Sequence, residues 1–146
     1  MPEPDMPRME KWVPHLSKAV GNPDARVCLV GHSMGCITIL RYLEGLSEGQ
    51  MIGSAVLVGG FSESIGYEEL NNFFLTPVDW EEVKRHCSSF TAIHSDNDPY
   101  VPLRFLDTFR KELSAVIVVE HGKGHMGGED NLKELPSALA AIEKNL

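Results

Sequence analysis

The chain is poor in cysteine and has neither a run of basic residues nor a long apolar stretch, and each shortage removes a class of protein. Cys28, Cys36 and Cys87 are its three cysteines. So sparse and odd a set cannot build a disulfide scaffold, and none stands in the C-x-x-C spacing of zinc or redox centres. Reduced thiols and a cytoplasmic location are expected. Thirteen Lys and Arg against twenty-one Asp and Glu leave a formal net charge of −8, which argues against nucleic acid or an anionic membrane as partner. The opening stretch "MPEPDMPRMEKW" is acidic and broken by three prolines, unlike a signal peptide, and no later stretch approaches the roughly 20 apolar residues of a membrane span. Repeats, low-complexity tracts and Gly/Ser linkers are also missing. With 146 residues, 42% hydrophobic and 23% charged, the chain fits one domain, residues 1–146, around one core.

What the chain does have is alternation. "RVCLVG" (Arg26 to Gly31), "SAVLVGG" (Ser54 to Gly60), "FTAIHS" (Phe90 to Ser95) and "AVIVVEH" (Ala115 to His121) are short, rich in β-branched residues and end in turn-formers. They read as parallel strands buried on both faces. Segments of helical period separate them: Met34 to Leu46, Asp79 to Cys87, Pro102 to Leu113 and Asn131 to Leu146, with Arg8 to Val20 ahead of the first strand. Asp79 suits an N-cap with Glu82 at the capping-box position, and Pro102 suits a first helical turn. The pattern predicts an α/β fold, a doubly wound sheet of about four parallel strands flanked by helices, with function at the strands' C-terminal ends. The aromatic-bearing connection 61–80, with Phe61, Tyr67, Phe73, Phe74 and Trp80, is either a lid or pocket wall, or a long loop anchored to the core.

"VGHSMGC" supplies the first chemical candidate. Ser33 lies in G-x-S-x-G between Gly31 and Gly35, directly after the first strand and at the start of the first long helix, the setting in which a nucleophile elbow occurs. The helix N-terminus beneath it offers free N–H groups, Met34's among them, to a developing oxyanion. A serine needs a base to take its proton and an acid to orient that base, and in this type of fold they follow in the order Ser, Asp or Glu, His. "HSDNDPYVP" after the third strand offers Asp98, with Asp96 as the alternative. "EHGKGHMGG" after the fourth offers His125 in a glycine-rich loop, with His121 as the alternative.

The other candidates read as structural. His32 is a passenger of the elbow, His15 and His86 lie on amphipathic segments, and His94 ends a strand. A metal site would have to group His121, His125, Glu129 and Asp130, but Gly122 and Gly124 deny the helical i,i+4 presentation of a zinc-protease motif. Cys36 reads as a small buried filler. No metal or organic cofactor is called for.

With those residues in place, the chain resembles the small serine hydrolases of the retinoblastoma-binding protein 9 and YdeN-like group, within the α/β-hydrolase fold. The resemblance runs through "MPEPDMPRMEKWVPHL", "VCLVGHSMGCITILRYLE", "FFLTPVDWEEVKRHC", "HSDNDPYVP" and "GKGHMG". It implies that Ser33, Asp98 and His125 correspond to the family's catalytic Ser, Asp and His, and that small esters or related acyl compounds are the substrates. It also implies that a strand, helix and strand of roughly 30 or more residues precede the "MPxP" segment in family members, so the chain reads as one truncated at the front. Two expectations follow: an unpaired edge at Arg26 to Val30, open to homodimer pairing, and an oxyanion hole that keeps Met34 but lacks its second donor. Losing one such donor costs on the order of 10²–10³ in rate. A weakly active or inactive protein-interaction module is therefore the alternative to an esterase-like serine hydrolase.

Overall fold

The computed structural model describes residues 1–144. Four apolar runs form strands: β1 (Cys28–His32), β2 (Ile52–Val58), β3 (Cys87–Ser95) and β4 (Val116–Glu120). They lie side by side in the order β1-β2-β3-β4, all parallel. Because neighbours in sequence are neighbours in the sheet, the winding never reverses. That corrects the doubly wound expectation: among the described residues the strand order contains no switch point, and the strand ends alone locate the site.

Helices α1 (Met9–Val20), α2 (Met34–Glu44), α3 (Trp80–Arg85) and α4 (Arg104–Leu113) cover one face of the sheet, and α5 (Pro136–Glu143) packs on the other. Alternation along a strand sends successive side chains to opposite faces. Ala55 and Leu57 of β2 therefore join the core under α1 to α4, while Val56 and Val58 join Ile93, Ala138 and Ala141 beneath α5. With both faces covered, β2 reads as an unbroken apolar run, which is why it was legible as a strand.

Local chemistry sets the element ends. The Asp79 carboxylate accepts from the Glu82 N–H at 3.1 Å, as the capping pattern predicts. β3 starts three residues earlier than the apolar run suggests, so the preceding helix stops at Arg85. Pro102 stands just ahead of α4, its carbonyl accepting from the Phe105 N–H at 3.2 Å. The final helix is shorter than its period implies: Pro136 has no N–H to continue a helix and opens one instead. Residues 145 and 146 of that expected helix lie outside the described residues.

Among the described residues β1 pairs with β2 alone, and Val30 is half exposed. The 61–80 connection is held by its aromatics: Phe61 and Phe73 are buried, Phe73 meets Trp12 edge-on, Phe61 meets Phe74 and Phe105, and Tyr67 turns to solvent. Arg41 of α2, itself buried, donates to the carbonyls of Phe73 and Thr76 and pairs with Glu44. The connection is thus bolted to the same helix that opens at Ser33.

Candidate functional site

Parallel strands bring their C-terminal ends to one side of the molecule, so the residues following β1, β3 and β4 meet there. Ser33 follows β1 with φ 53° and ψ −117°, backbone values that a non-glycine residue adopts only when its surroundings impose them. The surroundings are visible. The Ser33 N–H donates to the Val58 carbonyl at 2.9 Å. A Cβ on Gly31 would fall 2.7 Å from the Gly35 carbonyl carbon and 2.8 Å from the Cys36 nitrogen. Only glycine at position 31 lets strand and helix approach so closely.

Ser33 occupies the N-cap position of α2, yet its side chain makes no capping hydrogen bond. A serine that serves a helix spends its hydroxyl on the N2 or N3 amide from an extended backbone. Neither condition holds here, so the hydroxyl is left to other chemistry. Met34 is the first residue of α2, where an N–H has no acceptor four residues back within the helix.

Asp98 and His125 face each other: His125 Nδ1 lies 2.7 Å from Asp98 Oδ2, with side chains 17% and 1% exposed. A carboxylate only accepts, so Nδ1 carries the proton of this hydrogen bond, and Nε2 is the ring nitrogen left out of it. The other carboxylate oxygen of Asp98 accepts the N–H groups of Tyr100 and Val101, each at 2.9 Å. That arrangement fixes the plane of the acid. Gly59, at φ +54°, backs the pair, since a Cβ there would lie 3.4 Å from the His125 ring and 3.6 Å from Asp98 Oδ2. The Tyr100 ring meets His125 edge-on at 5.3 Å.

The alternatives are engaged elsewhere. His121 Nδ1 donates to Asp96 Oδ2 at 2.6 Å, and Asp96 Oδ1 accepts from the Gly122 N–H at 2.9 Å. The Gly122 N–H, followed by His121, holds the Asp96 carboxyl below the usual carboxylate value. Glu129 accepts from the Tyr100 hydroxyl, and Asp130 from the Gly127 N–H. The four residues that a metal reading would group are therefore divided among separate partners. Cys36 is fully buried, donates to the Gly31 carbonyl, and has its thiol pushed up by burial, in keeping with an inert filler.

One residue read as a passenger is a participant. His32 Nε2 lies 2.7 Å from the His125 carbonyl oxygen, and the two rings sit 4.7 Å apart. No spacing pattern could have signalled this contact, because its acceptor is main chain. A cavity of about 360 Å³ opens beside His125, bordered by His32, Tyr100, Gly127, Glu129 and Asp130. Among the described residues no helix is long and apolar enough to cross a membrane.

Comparison with known proteins agrees with this architecture. A family model described as serine hydrolase matches residues 1–144. The chain is 32% identical over 138 residues to the hydrolase YdeN of Bacillus subtilis (strain 168), across 93% of this chain and 72% of that protein. It is 26% identical over 127 residues to the serine hydrolase RBBP9 of Rattus norvegicus, across 86% of this chain and 66% of the rat protein. The crystal structure of the ydeN gene product superposes with a TM-score of 0.93 at 28% identity, covering 99% of this chain and 78% of that one.

Proposed function

Because the chain belongs to the serine hydrolase family, enzymes of hydrolase type, we propose that it cleaves small carboxylic esters or related acyl compounds through an acyl-enzyme on Ser33. The observation that carries this reading is the partly buried Asp98–His125 pair at the strand ends that also present a serine free of any capping bond in a strained elbow. His125 Nε2 takes the Ser33 proton as Oγ attacks the acyl carbon, Asp98 holds the imidazole in the tautomer that leaves Nε2 free, and the Met34 N–H donates to the developing oxyanion. Collapse of the tetrahedral species expels the alcohol, which takes the proton from His125. Water then repeats the sequence to release the acid.

A fluorophosphonate probe tests the reading. We expect one adduct, mapped to Ser33, and none in Ser33→Ala. Unchanged labelling of the Ser33→Ala protein, or an adduct on another residue, overturns it.

A second reading is favoured by the outer edge of β1, which among the described residues pairs with no strand beyond β2: a weakly active or inactive fold that binds a protein partner, or a second copy of itself, along that edge. It predicts self-association that rises with concentration in sedimentation velocity and is unaffected by Ser33→Ala. A protein that stays monomeric and turns over esters removes it.

A further inference from the structure

The histidine loop has no regular structure of its own. Between the end of β4 at Glu120 and Gly127 the chain is turn and bend, with Gly122 at φ +67° and Gly124 at φ +57°. Two glycines in five residues confer wide freedom, and each residue left loose retains about 1–2 kcal/mol of backbone entropy. Yet His125 must hold one position.

Its position is set from the neighbouring loop. Four successive residues, Ser95 at the end of β3 and the three that follow it, accept from four successive residues after β4. Asp96 Oδ1 takes the Gly122 N–H at 2.9 Å, Ser95 Oγ the Lys123 N–H at 2.9 Å, Asn97 Oδ1 the Gly124 N–H at 2.8 Å, and Asp98 Oδ2 the His125 Nδ1–H at 2.7 Å. The buried Ser95 hydroxyl in turn donates to Asn97 Oδ1 at 2.7 Å, which braces two acceptors against each other. Both donors that converge on Asn97 need an acceptor, so its oxygen, not its amide nitrogen, faces the loop. The last of these four contacts belongs to the proposed chemistry. The other three meet backbone N–H groups that the glycine-rich loop cannot satisfy internally.

We propose that Asn97, braced by Ser95, is a positioning residue for His125: by holding the Gly124 N–H it fixes the peptide that carries the histidine. This rests on the reading of His125 as the general base. Asn97 touches neither substrate nor the reacting atoms; it sets the reach of Nε2 to Ser33. A displacement of about 1 Å in such a group costs up to about a hundredfold in rate.

The test compares Asn97→Leu, of similar shape without an acceptor, with Asn97→Asp, which keeps one, and with His125→Ala. p-Nitrophenyl acetate turnover is followed on the alkaline plateau, together with thermal unfolding and the low-field NMR signal of the proton between His125 and Asp98. Asn97 is exposed, so the variants are expected to fold with an unchanged Tm. Asn97→Leu should lower kcat about ten- to a hundredfold with KM nearly constant and should broaden the low-field proton, and Asn97→Asp should restore most of the loss. Parent-like kcat in Asn97→Leu while His125→Ala is inactive overturns the proposal alone. Parent-like turnover in His125→Ala overturns the reading of the base and the proposal with it. A loss of kcat that follows a lowered Tm and is not rescued by Asn97→Asp makes Asn97 merely structural and also overturns it.

Discussion

The imidazole of His32 donates from Nε2 to the backbone carbonyl of His125 at 2.7 Å, tying the residue beside the elbow serine to the loop that carries the proposed base. Strand β1 and the loop after β4 lie at opposite edges of the sheet, so this bond spans the mouth of the site. His32→Phe keeps a ring against His125 and removes the donor. One hydrogen bond contributes about 0.5–1.5 kcal/mol, so kcat should fall roughly two- to tenfold with little change in KM, and His32→Gln, which retains an N–H, should recover part of it. Steady-state kinetics on a chromogenic ester decides; an unchanged kcat in His32→Phe shows that the bond does not act on the reaction.

Much of this was legible in the residues and some was not, for physical reasons. Strands β2 and β3 announce themselves because burial on both faces demands apolar runs, β1 and β4 keep apolar runs although Val30, Val116 and Val119 are exposed there, and Asp79 and Glu82 mark a helix start through side chains that can act only locally. The start of β3 is hidden because Cys87, Ser88 and Ser89 are not an apolar run, and the last helix is overextended because its period continues through Pro136. Ser33, Asp98 and His125 stand out because the chemistry proposed for them needs those side-chain types at strand ends. His32 and Asn97 do not, because their partners are main-chain groups 93 and 27 residues away, and backbone carbonyls and amides leave no trace in a sequence.

The three glycines around the site should respond differently to alanine. At Gly31 the new Cβ meets main chain at 2.7 Å, which cannot yield, so Gly31→Ala should destabilise by about 1–3 kcal/mol as overpacking does. Gly35, the other glycine of the G-x-S-x-G stretch, has open space around its Cβ position; Gly35→Ala should be neutral or stabilise the helix by up to about 1 kcal/mol. Gly59→Ala combines positive φ with crowding of the His125 ring and should lower kcat by more than its stability loss explains. Urea unfolding of the three variants, with ester turnover alongside, separates these outcomes. Equal midpoints for Gly31→Ala and Gly35→Ala would contradict the account of the elbow.

Arg41 should hold the 61–80 connection. It donates to the carbonyls of Phe73 and Thr76 while paired with Glu44, whose side chain is 17% exposed. Arg41→Met keeps the aliphatic stem but strands a largely buried carboxylate and two carbonyls, a loss of about 3–5 kcal/mol by analogy with broken buried pairs. Limited proteolysis should then cut first between residues 61 and 80. If the earliest cuts fall elsewhere, the clamp does not govern that segment.

His94 gives the protein a predictable acid weakness. It is fully buried beside Phe109, Nε2 donates to the Gly60 carbonyl at 2.8 Å, and Nδ1 has no partner among the described residues. Burial holds its pKa below the ordinary value of 6.5, so between that value and the folded one the unfolded chain takes up a proton that the folded chain refuses. Stability should therefore be full above about pH 6.5 and decline as pH falls below it, by at most about 1.4 kcal/mol per pH unit for one proton. The depressed carboxyl of Asp96 acts in a lower window: its contribution is present above the ordinary 3.8 and is lost only as pH falls through the folded value. Urea midpoints between pH 5 and 7.5 therefore separate the histidine from Asp96. His94→Gln, which can still donate to Gly60 but cannot take up the proton, should flatten the dependence over that interval. A slope that survives the substitution would assign the acid sensitivity to another group.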